Sequence, residues 1–277
     1  MEIKEILISQ NFRYNKALGQ NFITDNNLLN AIVSDAEVGS DDTVVEIGTG
    51  AGTLTRALAS KAKRVITFEV DNNLKPILDK TLDGLNNVDV IFADVLKMSD
   101  EDIKSIVPVP FKVVANLPYY ITTQLLMRFV ESTLPVTDLT LMMQKEVADR
   151  LCAKAGTADY GAVTVAVNSI GDGEIVRLIN KNMFYPIPKV DSALYRLKIN
   201  KNKYKIDNEK LFKKTVKSAF LWRRKTLANN LQSAFSIPKA EAEKILVDLG
   251  FDPMIRGEKL TVEDFISLSD KISESNF

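Results

Sequence analysis

The stretch TVVEIGTGAGTLTRALA, residues 43–59, decides how this chain is read. Thr43–Ile47 is a β-branched, apolar run of strand length, interrupted only by Glu46. Gly48, Gly50 and Gly52 follow at once, and residues 53–61 then carry apolar side chains at three-to-four spacing, the sign of a helix. Strand, glycine turn and helix in that order mark the place where an α/β sheet binds a nucleotide-like ligand, because glycines let the backbone press against it.

The same alternation extends outward. Residues 28–33 carry a helical apolar stripe, and β-branched runs recur at 64–70, 88–93, 112–115 and 138–143. Between them, residues 73–85 and 122–131 have helical spacing. This rhythm predicts a mainly parallel, Rossmann-like sheet with helices on both faces. Residues 162–170 are apolar and β-branched and fit either strand or helix, whereas 174–180 and 193–199 read as a closing pair of strands. From Glu209 onward the pattern is helical, broken at Pro238 and at the GFDP stretch 250–253. The expectation is an α/β domain over 1–199 and a small all-α domain over 200–277.

Bulk properties narrow the chemistry. The 277 residues include 36 basic and 36 acidic side chains, so any nucleic-acid contact has to come from local clustering. With no histidine, Ser-His catalysis is excluded and the usual metal ligand is missing; no metal is expected. The single Cys152 fits a reducing compartment. Residues 1–16 lack the apolar core of a signal peptide, and no window approaches the roughly 20 apolar residues of a membrane span. A cytoplasmic, monomeric protein with no membrane association is expected.

Two acids stand at the ends of later strands. Glu69 lies 21 residues beyond Gly48, where a carboxylate can accept hydrogen bonds from both ribose hydroxyls, and Asp94 holds the equivalent place after the third strand, within reach of an adenine amino group. A nicotinamide dehydrogenase is the main rival, but its fingerprint is GxGxxG, whereas this loop reads GTGAG with Glu46 just before it. An acid there would repel a pyrophosphate and suits a cofactor with a cationic amino-acid part. S-adenosylmethionine has that composition.

The fourth strand ends in Asn116-Leu117-Pro118-Tyr119. The exocyclic amine of adenine is a poor nucleophile because its lone pair is delocalised into the ring. If the Asn116 side-chain oxygen and the Leu117 carbonyl accept its two hydrogens, the nitrogen is drawn towards tetrahedral geometry and no strong base is needed. Pro118 fixes the backbone and Tyr119 offers a stacking face. A base turned out of folded RNA needs a second wall, for which Phe184 in the FYPIPKVDS stretch is the candidate.

Taken together, LGQNF (18–22), VEIGTG (45–50), EVD (69–71), AD (93–94), NLPY (116–119), QKEV (144–147), FYPIPKVDS (184–192) and RRKTL (223–227) resemble the ribosomal RNA adenine N6-dimethyltransferases. The likeness is greatest to the housekeeping type that modifies two neighbouring adenosines near the 3′ end of small-subunit (16S) RNA. It implies a class I S-adenosylmethionine-dependent methyltransferase fold, with cofactor contacts at Asn21, Ile23, Gly48, Gly50, Glu69, Asp94 and Asn116. Thr49 stands where the family commonly has proline, and Ile23 where leucine is common. Relatives that dimethylate one adenosine in large-subunit RNA share the pocket; the PxPKVDS and RRKTL elements look like the housekeeping type.

Residues 198–225 carry eleven basic side chains against two acidic ones, interleaved with Tyr204, Phe212, Phe220 and Trp222. Lys189, Arg223, Arg224 and Lys225 are the candidate RNA contacts, while Phe220 and Trp222 are expected to pack. The small ribosomal subunit is the expected partner. The alternative is a protein whose binding to assembling subunits, rather than its catalysis, is what matters.

Overall fold

The computed structural model describes residues 21–275. The Leu18-Gly19-Gln20 part of the LGQNF element and the stretch 1–16 lie outside the described residues.

The chain divides into two compact units, one holding the described residues through Ala148 together with Glu174–Ile199, the other Asp149–Gly173 together with the described residues from Asn200 onward. Residues 149–173 group with the helical unit, so neither unit is a single stretch of the chain. Helix α6 (Lys145–Leu151) leads into that excursion, within which the ambiguous stretch is helical, as α7 (Ala162–Asn168).

In the first unit the sheet strands are β2 (Thr43–Ile47), β3 (Arg64–Glu69), β4 (Val88–Phe92), β5 (Phe111–Asn116), β6 (Val136–Gln144), β7 (Gly171–Ile179) and β9 (Ser192–Ile199). Their order is β4-β3-β2-β5-β6-β9-β7. The pairs β2–β3, β3–β4, β2–β5 and β5–β6 are parallel, and β9 runs antiparallel to β6. All five residues of β2 are buried, as a central strand covered on both faces requires. Helices α1 (Asn26–Asp35), α2 (Thr53–Ala59), α3 (Lys75–Thr81), α4 (Asp100–Ile106) and α5 (Tyr119–Val130) fill the connections. Leu28, Leu29 and Ile32 of α1 and Leu58 of α2 pack into one cluster with Val44, Val65, Val114, Met142 and Leu194 of the sheet.

This strand order sets the site. From β2 the chain moves outward to β3 and β4, then returns to lay β5 on the other side of β2. The carboxyl ends of β2 and β5 therefore flank the topological switch point, the crevice where open α/β sheets bind ligands. A separate two-stranded ribbon pairs β1 (Phe22–Ile23) with β8 (Phe184–Tyr185), Phe22 opposite Tyr185 and Ile23 opposite Phe184. Its Tyr185-Pro186 peptide is cis.

In the second unit, α8 (Glu209–Ala219), α9 (Leu227–Phe235), α10 (Lys239–Asp248) and α11 (Val262–Glu274) close around Phe212, Val216, Leu227, Leu231, Leu246 and Phe265. Among the described residues, no helix is long and apolar enough to cross a membrane.

Candidate active site

The turn from β2 into α2 has Gly48, Gly50 and Gly52 at φ 79°, 55° and 81°, in the left-handed region that glycine enters without strain. At Gly50 the constraint is double, because a Cβ there would lie 3.0 Å from Cε1 of Phe22. The Gly48 amide donates to the Phe68 carbonyl (2.8 Å), and the hydroxyls of Thr49 and Thr67 are 2.7 Å apart, so the turn is tied to β3.

Glu69 holds the far side of this turn. Its Oε2 accepts from the Gly50 amide (2.8 Å), and Oε1 accepts from the amides of Val70 and Asp71 (2.8 Å each). Burial raises the carboxyl above its ordinary range, while the three amides pull the other way. A carboxylate has about four lone-pair sites. Oε2 of Glu69, with only the Gly50 amide on it, keeps acceptor capacity on the cavity side. Asp94 caps the 3₁₀ turn Val95–Lys97, its Oδ1 accepting from the Leu96 amide (3.1 Å).

Asn116 is the last residue of β5, opposite Met142 of β6. Its Nδ2 donates to the Asn21 carbonyl (3.1 Å), which fixes the amide and leaves Oδ1 as its acceptor end. Pro118 (φ −55°, ψ 133°) precedes the first turn of α5. The Tyr119 hydroxyl meets Ser192 Oγ at 2.8 Å, on a serine that is fully buried at the start of β9. Thr53 Oγ1 donates to the Ile23 carbonyl (3.1 Å), stitching the ribbon to α2.

One cavity gathers these groups. Asn21, Ile23, Gly48, Gly50, Glu69, Asp94, Asn116, Leu117, Pro118, Tyr119 and Phe184 all line it. Lys189 does not; it borders a separate depression with Lys145 and Lys181, framed by Asp191, whose Oδ1 accepts from the Lys181 amide (2.9 Å). Arg223, Arg224 and Lys225 lie exposed on the helical unit, where the Arg223 guanidinium donates to the Ala158 carbonyl.

The family model for Ribosomal RNA adenine dimethylase matches residues 11–274. The chain belongs to that family. Within it, Ribosomal RNA small subunit methyltransferase A of Clostridioides difficile (strain 630) is 45% identical over 276 residues, covering 98% of this chain and 94% of the relative. The protein of the same name from Bacillus mycoides (strain KBAB4) is 44% identical over 279 residues, covering 97% and 94%. Among solved structures, a dimethyladenosine transferase from Plasmodium falciparum is 25% identical with a TM-score of 0.80, covering 92% of this chain and 98% of that one. The 23S rRNA methyltransferase ErmE is 27% identical with a TM-score of 0.68, covering 91% and 99%.

Family and fold imply an S-adenosylmethionine-type methyl donor, and the residues of this dimethylase fit one. The glycine turn lines the cavity with bare backbone, Phe22 packing where a Gly50 side chain would stand, and the carboxylates of Glu69 and Asp94 line it from the ends of β3 and β4.

Two sequence expectations need correction. Glu46 was read as an acid presented to a cationic group; it is only 1% exposed, accepts from Thr55 Oγ1 (2.6 Å), and burial pushes its carboxyl up to about 8. It still borders the cavity, and its bond to Thr55 braces the turn against α2. Trp222 was expected to pack, yet it is 49% exposed, because α8 ends at Ala219 and the helical face does not extend to it. Phe220 does pack, with ring centroids 6.2 Å from Tyr160 and 5.9 Å from Phe265. The supporting hydroxyls of Thr53 and Ser192 were missed, since nothing local in the sequence marks either one.

Proposed function

We propose that this chain dimethylates N6 of two adjacent adenosines near the 3′ end of small-subunit (16S) ribosomal RNA, acting as a cytoplasmic monomer on the assembling subunit. The observation that carries the reading is the Asn116 amide, anchored through Nδ2 at the carboxyl end of β5 in the cavity lined by the glycine turn. S-adenosylmethionine, when bound, would supply the methyl group, its S–CH3 bond breaking as the N6–CH3 bond forms, with the electron pair leaving on the neutral sulfur and the surplus amine proton passing to water. Gly48, Gly50, Glu69 and Asp94 bind it, with Asn21 and Ile23 as further contacts.

Asn116 Oδ1 and the Leu117 carbonyl accept the two amine hydrogens and turn the nitrogen lone pair out of conjugation. After one methylation a single hydrogen remains, and one acceptor is enough to hold the same geometry. Tyr119 and Phe184 sandwich the base, Tyr119 being set by Ser192 and Phe184 by its pairing to Ile23. Lys189 and the Arg223-Arg224-Lys225 run hold RNA phosphates. The small-subunit target is favoured by identities of 44–45% to proteins named for that subunit, against 27% to the one named for 23S RNA.

The test is to incubate the protein with labelled methyl donor and unmethylated small subunits, large subunits or naked RNA, and to locate the labelled base. Dimethylated adjacent adenosines in small-subunit RNA are expected. Label confined to large-subunit RNA overturns the target.

A further inference from the structure

Between α8 and α9 the chain makes a short turn that the catalytic reading does not use. Phe220 points into the core of the helical unit, but the next two residues turn outward, Leu221 52% and Trp222 49% exposed. The turn is built to hold them there. The Lys225 amide donates to the Trp222 carbonyl (2.9 Å). Asn230, fully buried, donates through Nδ2 to the Ala219 carbonyl (2.8 Å) and reaches the Trp222 carbonyl at 3.5 Å. Beneath Ala219, Gly257 packs so closely that a Cβ would come within 2.6 Å of the Ala219 oxygen. These bonds fix the backbone of the turn, and on it the indole stands half exposed beside the half-exposed Leu221.

Charge says what covers it. Arg223, Arg224 and Lys225, all exposed, follow the indole directly, so a flat aromatic face and three cations share one turn. A nucleobase offers a π-face and a flanking phosphate in that same arrangement, and stacking of this kind is indifferent to sequence. We propose that Leu221 and Trp222 form a stacking platform for one unpaired base of the RNA, a second point of grip on the helical unit, with the three cations on the neighbouring phosphates. The inference rests on the RNA reading above and adds a residue to it.

Trp222 is the sole tryptophan of the chain, so its emission reports on this turn alone. The full-length protein is titrated with purified unmethylated small-subunit RNA, and in parallel with assembled small subunits, while filter retention measures binding independently. Stacking predicts quenching by naked RNA that follows retention, a roughly tenfold loss of affinity in Trp222→Ala, and near-complete rescue in Trp222→Phe. Retention of RNA with unchanged emission, and with equal affinity in Trp222→Ala, overturns the platform while leaving the RNA reading intact. Unchanged emission on binding subunits, with equal affinity for them in Trp222→Ala, also overturns it. Binding of neither naked RNA nor small subunits by the wild type removes both this inference and the reading beneath it.

Discussion

The Asn116 side chain reaches across 95 residues of sequence to hydrogen-bond the backbone of Asn21 through Nδ2, at 3.1 Å. That bond decides which end of the amide is available. It also explains why a residue ahead of the first sheet strand matters to chemistry at the end of β5: Asn21 orients Asn116, and the ribbon it opens pairs Ile23 with Phe184.

Tyr119 is positioned by the same kind of remote contact. Tyr119→Phe keeps the ring and leaves the buried Ser192 hydroxyl without the phenol, so a loss of about 0.5–1.5 kcal/mol in stability is expected. Methylation should fall only a few-fold in Tyr119→Phe and much further in Tyr119→Ala, which removes the stacking face. Denaturant unfolding and steady-state kcat/KM for RNA check the two effects separately.

Gly50→Ala should damage donor binding. The new methyl would meet Phe22 at 3.0 Å, on a backbone at φ 55° that costs a side chain roughly 1–2 kcal/mol. Calorimetric titration with S-adenosylmethionine is expected to show about tenfold or greater weakening, that factor corresponding to about 1.4 kcal/mol. Undiminished affinity would mean the turn does not cradle the donor.

Glu46 predicts a pH dependence. Its folded carboxyl, pushed up to about 8 from an ordinary 4.5, keeps its proton where the unfolded chain has lost it. Its contribution to stability is therefore full below about 4.5, declines as pH rises, and is gone above about 8, at no more than about 1.4 kcal/mol per pH unit. Glu46→Gln keeps an acceptor for Thr55 and removes the slope. Melting temperatures measured from pH 5 to pH 9 should converge at the acid end and favour the variant at the alkaline end; parallel curves would contradict the assignment.

Gly257→Ala tests the base of the exposed turn. A Cβ 2.6 Å from the Ala219 carbonyl forces backbone apart, and an overpacking cost of about 1–3 kcal/mol is expected. Hydrogen exchange should register it in α8 and α9, with the amides of β2 and β5 unchanged.

How much of this was legible in the sequence depended on what each feature rests on. Strands β2 to β6 could be placed to within about two residues: β2, β3 and β5 are mainly buried and leave apolar runs, while the edge strand β4 is marked by its β-branched Val88, Val90 and Ile91. α4 was missed because DEDIKSI buries only Ile103 and is announced by its Ser99–Asp102 capping box, not by periodicity. β1 and β8 are two residues each, too short for any period. In the site, the glycine turn, Glu69, Asp94 and NLPY stood out because each terminates a recognisable strand. Asn21 and Ile23 came only from family resemblance, and Ser192 and Thr53 act through single hydroxyls whose partners lie 73 and 30 residues away. Trp222 was misjudged by extending the α8 pattern past its end.

The central claim is that an amide oxygen and a main-chain carbonyl prepare the adenine amine. Single-turnover methylation of unmethylated small subunits by Asn116→Ala, with donor and subunit binding measured separately, addresses it most directly. The account expects the chemical step to slow by about 10²–10³-fold while subunits remain bound. A wild-type rate of methyl transfer in that variant would contradict it.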